Sequence, residues 1–241
     1  MRDVGVIFRR EMSAYFQSPI AYIFIIVFLV LTTLFYTNGF FLAGVTDMRD
    51  FFGTLPLFLL FFIPALTMRL WAEDQRLGTF ELLMTLPMKP SHIVLGKFLA
   101  SLAFYCVALA GTLTIPLSLA WIGDPDLGAI FCGYLGAVML GGLFLSVGIF
   151  ISGLFKDQIT AFVLALLACA FFIVVGTQFS VAVLDGWVPS LGTFLAEAFS
   201  VAAHFDGIQR GVIGIDDVLF FVSLSTVFLT LNAYSLEGRK Y

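Results

Sequence analysis

Charged residues are scarce in this chain of 241 residues, because Asp, Glu, Lys and Arg together make up only 12% while 61% of the residues are hydrophobic. A soluble domain typically carries about 25% charged residues, which it needs to cover its surface. The mean hydropathy is +1.05. These values exclude an ordinary soluble domain and predict a polytopic membrane protein.

Residues that commonly perform chemistry are also rare. The three cysteines all lie inside apolar runs and show no metal-ligand spacing: Cys106, Cys132 and Cys169. His204 with Asp206 offers only two metal ligands. The sequence has neither a zinc-protease helix motif nor a phosphate-binding loop. We therefore expect no enzymatic activity, no cofactor and no metal, so that energy for any work comes from another chain.

Six uncharged runs are long enough to cross the membrane, which takes about 20 helical residues. They are residues 20–42, 51–68, 98–123, 127–155, 158–184 and 218–236. This pattern predicts an all-α fold, with one transmembrane domain over residues 1–241. The absence of charge inside the runs argues against an ion-coupled carrier, and no polar filter indicates a channel.

The basic residues predict the orientation. Six crossings place both termini on one side, and that side receives ten of the 12 basic residues, leaving only Arg49 and Arg210 on the other. By the positive-inside rule, both termini are predicted to be cytoplasmic. The net charge of −4 reflects acidic residues on the outer side and favours no nucleic-acid partner.

The segment before the first run has the pattern of a helix lying in the membrane interface. Its apolar positions fall on one side of a helical wheel: Val4, Ile7, Phe8, Met12 and Tyr15. Arg9 and Arg10 lie opposite, whereas Glu11 is an exception on the apolar side. A frayed cytoplasmic tail is the alternative.

A polar segment, residues 69–97, separates the second run from the third. Gly78 is predicted to form a turn and Thr79 to cap a short helix over residues 80–86, with Glu81 in its first turn and Pro87 ending it. Leu82, Leu83 and Leu86 share one side of this helix, which could rest on lipid or fill a groove in a partner. A solvated loop is the alternative.

Other features concern packing. Pro56, Pro64 and Pro116 predict kinks. The small residues Gly133, Ala137 and Gly141 allow close approach of another helix, either within the chain or in a second subunit. Short helices at the outer interface are expected in residues 185–217.

The string ALTMRLWAEDQRLGTFELLMTLP over residues 65–87, followed by VLGK at residues 94–97, resembles the cytoplasmic region of type-2 ABC exporter permeases. Further similar strings are SPIAY at residues 18–22, GDPD at 123–126 and RGVI at 210–213. The likeness is greatest to the branch that includes the gliding-motility-associated permease and the nitrous-oxide-reductase accessory permease.

The resemblance implies a subunit in the cytoplasmic (inner) membrane of a prokaryote, paired with a second permease, identical or not, and with two ATP-binding cassette subunits. The amino-terminal helix is then an elbow, carrying Phe8, Arg9, Arg10 and Tyr15. The residues that match the ATPase docking region are Glu73, Arg76, Gly78, Thr79, Glu81, Leu82, Leu83 and Pro87. Lys156 and Asp157 match a second, smaller contact.

The function expected from the resemblance is coupling of a partner's ATP hydrolysis to export, or to mechanical action on a periplasmic or extracellular partner, with membrane lipid around the subunit. A non-transporting scaffold that recruits a cytosolic protein is the alternative. A channel is a third possibility, which ATP-independent flux would identify.

Overall fold

The secondary structure is entirely helical in the computed structural model, which describes residues 2–43, 47–85, 88–123 and 125–238. The helices of these residues are α1 (Arg2–Gln17), α2 (Pro19–Ala43), α3 (Arg49–Thr67), α4 (Arg69–Arg76), α5 (Thr79–Thr85), α6 (Pro90–Gly111), α7 (Thr114–Ile122), α8 (Leu127–Leu154), α9 (Gln158–Val174), α10 (Gln178–Trp187), α11 (Leu191–Phe199), α12 (Val201–Gln209) and α13 (Ile215–Glu237). This confirms the all-α fold class.

Five helical segments of the described chain are long and apolar enough to cross a membrane: Pro19–Phe40, Arg49–Arg76, Pro90–Ile122, Leu127–Leu154 and Ile215–Glu237. The pair α9 and α10 passes the same test only together, and it bends by 85° between its two helices. The described residues thus hold five candidate crossings, or six if the bent pair counts as one, as in a multi-pass membrane protein.

The fifth run thus differs from the continuous helix expected over residues 158–184. Thr177 adopts an extended conformation and its hydroxyl accepts a hydrogen bond from the amide of Ser180, which starts a new helix at Gln178. A hydroxyl that caps a new helix in this way competes with continuation of the old one.

The third crossing begins earlier than the apolar run at residue 98 suggests. Pro90 occupies the first turn of α6, a position where its missing N–H is not needed. The helix therefore includes Lys97 in its second turn. The uncharged run alone does not predict this start. A helix that includes Lys97 needs carboxylates to pair with the ammonium group, and these come from other helices.

One end of the bundle holds both ends of the described chain, and we call it the base. It is formed by α1, α4, α5, the start of α6 and the end of α8, and Asn232 of α13 packs there beside Gly153. The opposite end carries the start of α3 and the helices α11 and α12. Successive long helices therefore run in opposite directions between the two ends of the bundle.

Close packing of α8 against α3 and α6 forms much of the core. A Cβ added at Gly133 would clash with the ring of Phe52, and one added at Gly141 with the ring of Tyr105. The hydroxyl of Tyr105 donates a hydrogen bond of 2.8 Å to the carbonyl oxygen of Ala137. The small residues therefore serve packing within this chain.

Short helices fill residues 185–217, as expected. The Asp185 carboxylate accepts hydrogen bonds from the amide of Gly192 (2.6 Å) and the hydroxyl of Thr193 (2.7 Å), which folds α11 back onto α10. His204 lies 2.9 Å from Asp217 rather than beside Asp206. Within the described residues, no group of three or more potential metal ligands occurs.

Candidate functional site at the base of the bundle

The α4 helix is attached to the end of α8 by backbone hydrogen bonds to a buried serine. The hydroxyl of Ser152 accepts from the amide of Trp71 at 3.2 Å and donates to the carbonyl oxygen of Met68 at 3.1 Å. The side chain of Gln75 donates to the carbonyl oxygen of Gly153 at 3.0 Å. These contacts satisfy backbone groups left free where α3 ends and α4 begins.

Lys97 lies at the centre of the site, with its side chain only 1% exposed. Its ammonium group donates to Glu11 at 3.0 Å, to Asp74 at 2.7 Å and to the carbonyl oxygen of Leu70 at 2.5 Å. The three N–H groups of the lysine are thus all used. The ammonium also lies 4.7 Å from the centre of the Trp71 ring, within range of a cation–π interaction.

Arg10 completes what we call the charge cluster: Arg10, Glu11, Asp74 and Lys97. Its guanidinium is 2.5 Å from Glu11 and 3.6 Å from Asp74, so two cations face two carboxylates. Burial lowers the pKa of Arg10, but the hydrogen bond with Glu11 and both nearby carboxylates outweigh this, and the net shift is upward. The cluster joins α1, α4 and α6.

The α1 helix packs along α6 from His92 to Phe104. Ile7 and Tyr15 are each 2% exposed and Phe8 is half-buried, whereas Arg9 and Arg10 are exposed. The buried side agrees with the apolar side of the predicted wheel. Glu11 lies on that side because it pairs with Lys97, which explains the exception in the pattern.

Gly96 allows the two helices to approach closely. A Cβ at this position would lie 2.7 Å from Ile7 and 3.1 Å from the carbonyl oxygen of Val4. The next residue is Lys97, so the same approach brings its ammonium to Glu11.

The α5 helix follows a turn at Gly78, whose φ of 72° lies in the left-handed region that favours glycine. The turn agrees with the prediction, but Thr79 is the first helical residue rather than a cap. Its hydroxyl donates to Asp74 at 3.0 Å, which ties α5 to the charge cluster.

The two sides of the α4 and α5 segment differ. Arg76, Thr79 and Glu81 are exposed, whereas Leu83 is only 4% exposed and packs in the core of this chain. Leu83 is therefore not free to fill a partner's groove, contrary to the expectation. Glu73 is half-buried and lines a cavity beside α1. Pro87 and Leu86 lie outside the described residues, as does the side chain of Leu82.

The loop between α8 and α9 lies at the same end of the molecule, because α4 contacts both helices. Lys156 and Asp157 are exposed there. Asp157 caps α9 by accepting from the amide and hydroxyl of Thr160, each at 2.8 Å, and these hydrogen bonds lower the pKa of its carboxyl group. The structure thus brings the two predicted contact regions to one surface.

Sequence reasoning missed the residues that hold this site together, namely Glu11, Asp74, Lys97 and Ser152. Glu11 carried a signal, since a carboxylate on the apolar side of a helix requires a partner. Lys97 directly precedes an apolar run, but nothing in the sequence links it to Glu11. Ser152 carried none, because serine inside an apolar helix commonly bonds only its own backbone.

Comparison with protein families matched residues 44–205 to the family described as "ABC-2 family transporter protein". The matched part covers about two thirds of the chain and includes the helices α3 to α11, among them the α4 and α5 segment. Comparison with curated proteins found no match.

Proposed function

The chain belongs to the ABC-2 transporter family, and from this premise we propose that it couples ATP hydrolysis by a separate cassette subunit to export or to mechanical action across the membrane. Family membership makes it a membrane permease of an ABC system rather than a catalytic enzyme. The proposal concerns how that permease receives and transmits force.

One observation carries the proposal: the α4 and α5 segment is exposed on its outer side and bonded to several helices on its inner side. Asp74 of α4 pairs with Lys97 of α6, which pairs with Glu11 of α1. Trp71 and Gln75 bind the end of α8. Displacement of the segment therefore acts on α1, α6 and α8 together, as a coupling element requires.

The contact surface in this proposal comprises Arg76, Gly78, Thr79 and Glu81, with Glu73 at its edge. Leu83 supports this surface from within the core, and Leu82 and Pro87 are assigned to the same coupling segment by the sequence resemblance alone. Lys156 and Asp157 supply the second contact. Two cassette subunits bind one permease pair, identical or not, each through such a surface.

The remaining proposals follow from the resemblance of the sequence strings. The base faces the cytoplasm of a prokaryotic cell, the pathway runs between two permeases, and α10 to α12 form an outer gate or the contact for a periplasmic partner. A role in motility or in metalloprotein maturation depends on the branch, for which the strings are the only support.

The test is co-purification in detergent with the ATP-binding cassette protein whose gene neighbours this one, followed by an ATP hydrolysis assay. Glu81→Arg reverses the charge on the exposed side of α5, and Gly78→Pro is incompatible with the positive φ of the turn. We expect both variants to insert in the membrane and to lose the associated ATPase activity.

Glu237→Arg is the matched control, since Glu237 is another exposed carboxylate in the last turn of α13. It should retain the ATPase. Unchanged association in Glu81→Arg and Gly78→Pro would overturn the coupling assignment. Absence of any ATPase with the wild type favours the scaffold, and ATP-independent flux favours a channel.

A further inference from the structure

A cavity of about 450 Å³ lies at the base, between α1, the turn into α2, and α4. Its lining includes Arg10, Tyr15, Ser18, Arg69, Glu73 and Lys97. Its volume falls in the range of about 300–1,000 Å³ that is typical of ligand sites. One wall is the charge cluster, and the other extends to Ser18 and Arg69.

Most charges of the lining are already paired within the protein. Lys97 uses all three of its N–H groups, and Glu11 and Asp74 accept from it. Arg10 lies against the same two carboxylates. These four groups therefore have little capacity left for a ligand.

Two other polar groups of the lining do have such capacity. Arg69 donates to the hydroxyl of Ser18 at 2.9 Å and lies over the Tyr15 ring, which leaves most of its five N–H donors unused. The Glu73 carboxylate has no hydrogen bond or ion pair to any described residue. The hydroxyl of Tyr15 also lacks a partner among the described residues, but protein encloses it and a ligand in the cavity does not reach it.

Arg69 thus offers donors for an anion, and Glu73 offers an acceptor for a cation. A ligand that carries both charges can use both groups.

The position of the cavity indicates where the ligand comes from. Ser18 directly precedes α2, the helix of the first crossing, and Arg69 directly follows the second apolar run. Both residues mark the level at which hydrocarbon gives way to headgroups. The interfacial helix α1 covers one side of the cavity at this level.

We propose that this cavity binds the headgroup of a phospholipid that carries a phosphate and a primary ammonium. The phosphate accepts hydrogen bonds from Arg69, and the ammonium donates to Glu73. The acyl chains extend along the apolar helices beside the cavity.

The charges of the lining select this headgroup over others. Three cations (Arg10, Arg69 and Lys97) and three carboxylates (Glu11, Glu73 and Asp74) sum to zero, so a purely anionic headgroup gains no net attraction. A quaternary ammonium cannot donate a hydrogen bond to Glu73 and favours aromatic faces. The face of Tyr15 is already covered by Arg69.

This inference goes beyond the proposed function and requires only that the chain is a membrane protein. Headgroup preference is measured without any ATPase, so failure of the lipid site and failure of the coupling assignment give different results.

The test is native mass spectrometry of the purified full chain in detergent, with equal concentrations of phosphatidylethanolamine, phosphatidylcholine and phosphatidylglycerol. We expect the wild type to retain phosphatidylethanolamine about tenfold more than the other two lipids. Glu73→Gln should reduce the preference over phosphatidylcholine to about onefold, because it removes the charge that the ammonium meets. Arg69→Gln should weaken binding of all three lipids.

Glu237→Gln, which alters an exposed carboxylate of α13, is the matched control and should leave the preference unchanged. Glu73→Gln alone suffices if Arg69→Gln does not fold. Equal retention of the three lipids, or an undiminished preference in Glu73→Gln, overturns the site. Binding of soluble phosphoethanolamine without binding of the lipid overturns the lipid as its source.

Discussion

At the scale of single residues, Lys97 defines the base of the bundle. An ammonium removed from water costs several kcal/mol unless charges and hydrogen bonds compensate. Glu11, Asp74 and the carbonyl oxygen of Leu70 supply this compensation from two other helices. The position of α1 and α4 relative to α6 is therefore tied to one side chain.

Replacing Lys97 with methionine should lower the free energy of unfolding by about 3–5 kcal/mol, because two buried carboxylates lose their shared cation. Adding Glu11→Gln and Asp74→Asn to this variant should restore most of the loss. Denaturant titration in detergent measures both effects.

Lys156→Met provides the comparison for this experiment, since Lys156 is exposed. It should change the free energy by no more than about 0.5 kcal/mol. A loss below about 1 kcal/mol for Lys97→Met would show that the charge cluster does not stabilise the base.

At the scale of helices, the docking of α1 on α6 depends on the missing side chain of Gly96. An added methyl group must displace Ile7, whose Cβ lies 2.7 Å from the new atom. The added Cβ of residue 96 and the Cβ of Ile7 are each bonded to a backbone Cα atom, so neither can move without shifting its helix. The α1 helix is thus the element most sensitive to a single methyl group.

We expect Gly96→Ala to cost about 1–3 kcal/mol and to loosen α1, as overpacking of a tight contact does. Trypsin should then cleave faster after Arg9 and Arg10, which are exposed on this helix. The rate of cleavage in detergent measures the loosening.

Gly5→Ala is the matched control, because a Cβ at Gly5 meets nothing within 4 Å. Alanine should stabilise the helix there by about 0.5–1 kcal/mol and should not speed cleavage. Equal cleavage rates in Gly96→Ala and the wild type would contradict the close docking of α1.

At the scale of the whole molecule, the helices divide into two groups by burial. The core crossing α8 is largely surrounded by protein, whereas α2 and α13 expose most of their apolar surface. Lipid or a second subunit must cover those two helices, since such surface is not stable in water. Both ends of the described chain lie at the base. The orientation of the molecule in the membrane can therefore be tested by labelling each end.

Cysteines introduced at Gly5 and Gly238 should react with a membrane-impermeant thiol reagent from one side, and a cysteine at Gly186 from the other. The first two positions lie at the base, whereas Gly186 lies near the end of α10. At each of the three positions, an added Cβ meets no atom closer than 3.8 Å. Labelling of intact cells against inverted vesicles measures the side.

The wild-type chain controls for the native thiols, since Cys169 is buried and Cys106 and Cys132 are half-buried. If the base faces the cytoplasm, Gly5→Cys and Gly238→Cys are labelled only in inverted vesicles. Labelling of Gly5→Cys and Gly186→Cys from the same side would contradict the antiparallel path.

The elements differ in how far the sequence predicted them. The apolar runs and the amphipathic α1 could be read from composition and periodicity, since each depends on one local segment. The early start of α6 and the burial of Leu83 could not, because each depends on residues elsewhere in the chain. The break at Thr177 is made by a local cap, but it lies within an uninterrupted apolar run that predicts one continuous helix. The family resemblance located the α4 and α5 segment but not the contacts that hold it.

Composition and length show that this protein crosses a membrane several times and that most of its charges lie outside the apolar runs, because hydrocarbon restricts every span independently. Which of those charges meet depends on the fold. Lys97 and Glu11 are 86 residues apart in the chain, and they pair because Gly96 lets two helices approach within contact distance. Such pairing depends on how helices pack, which no single segment encodes.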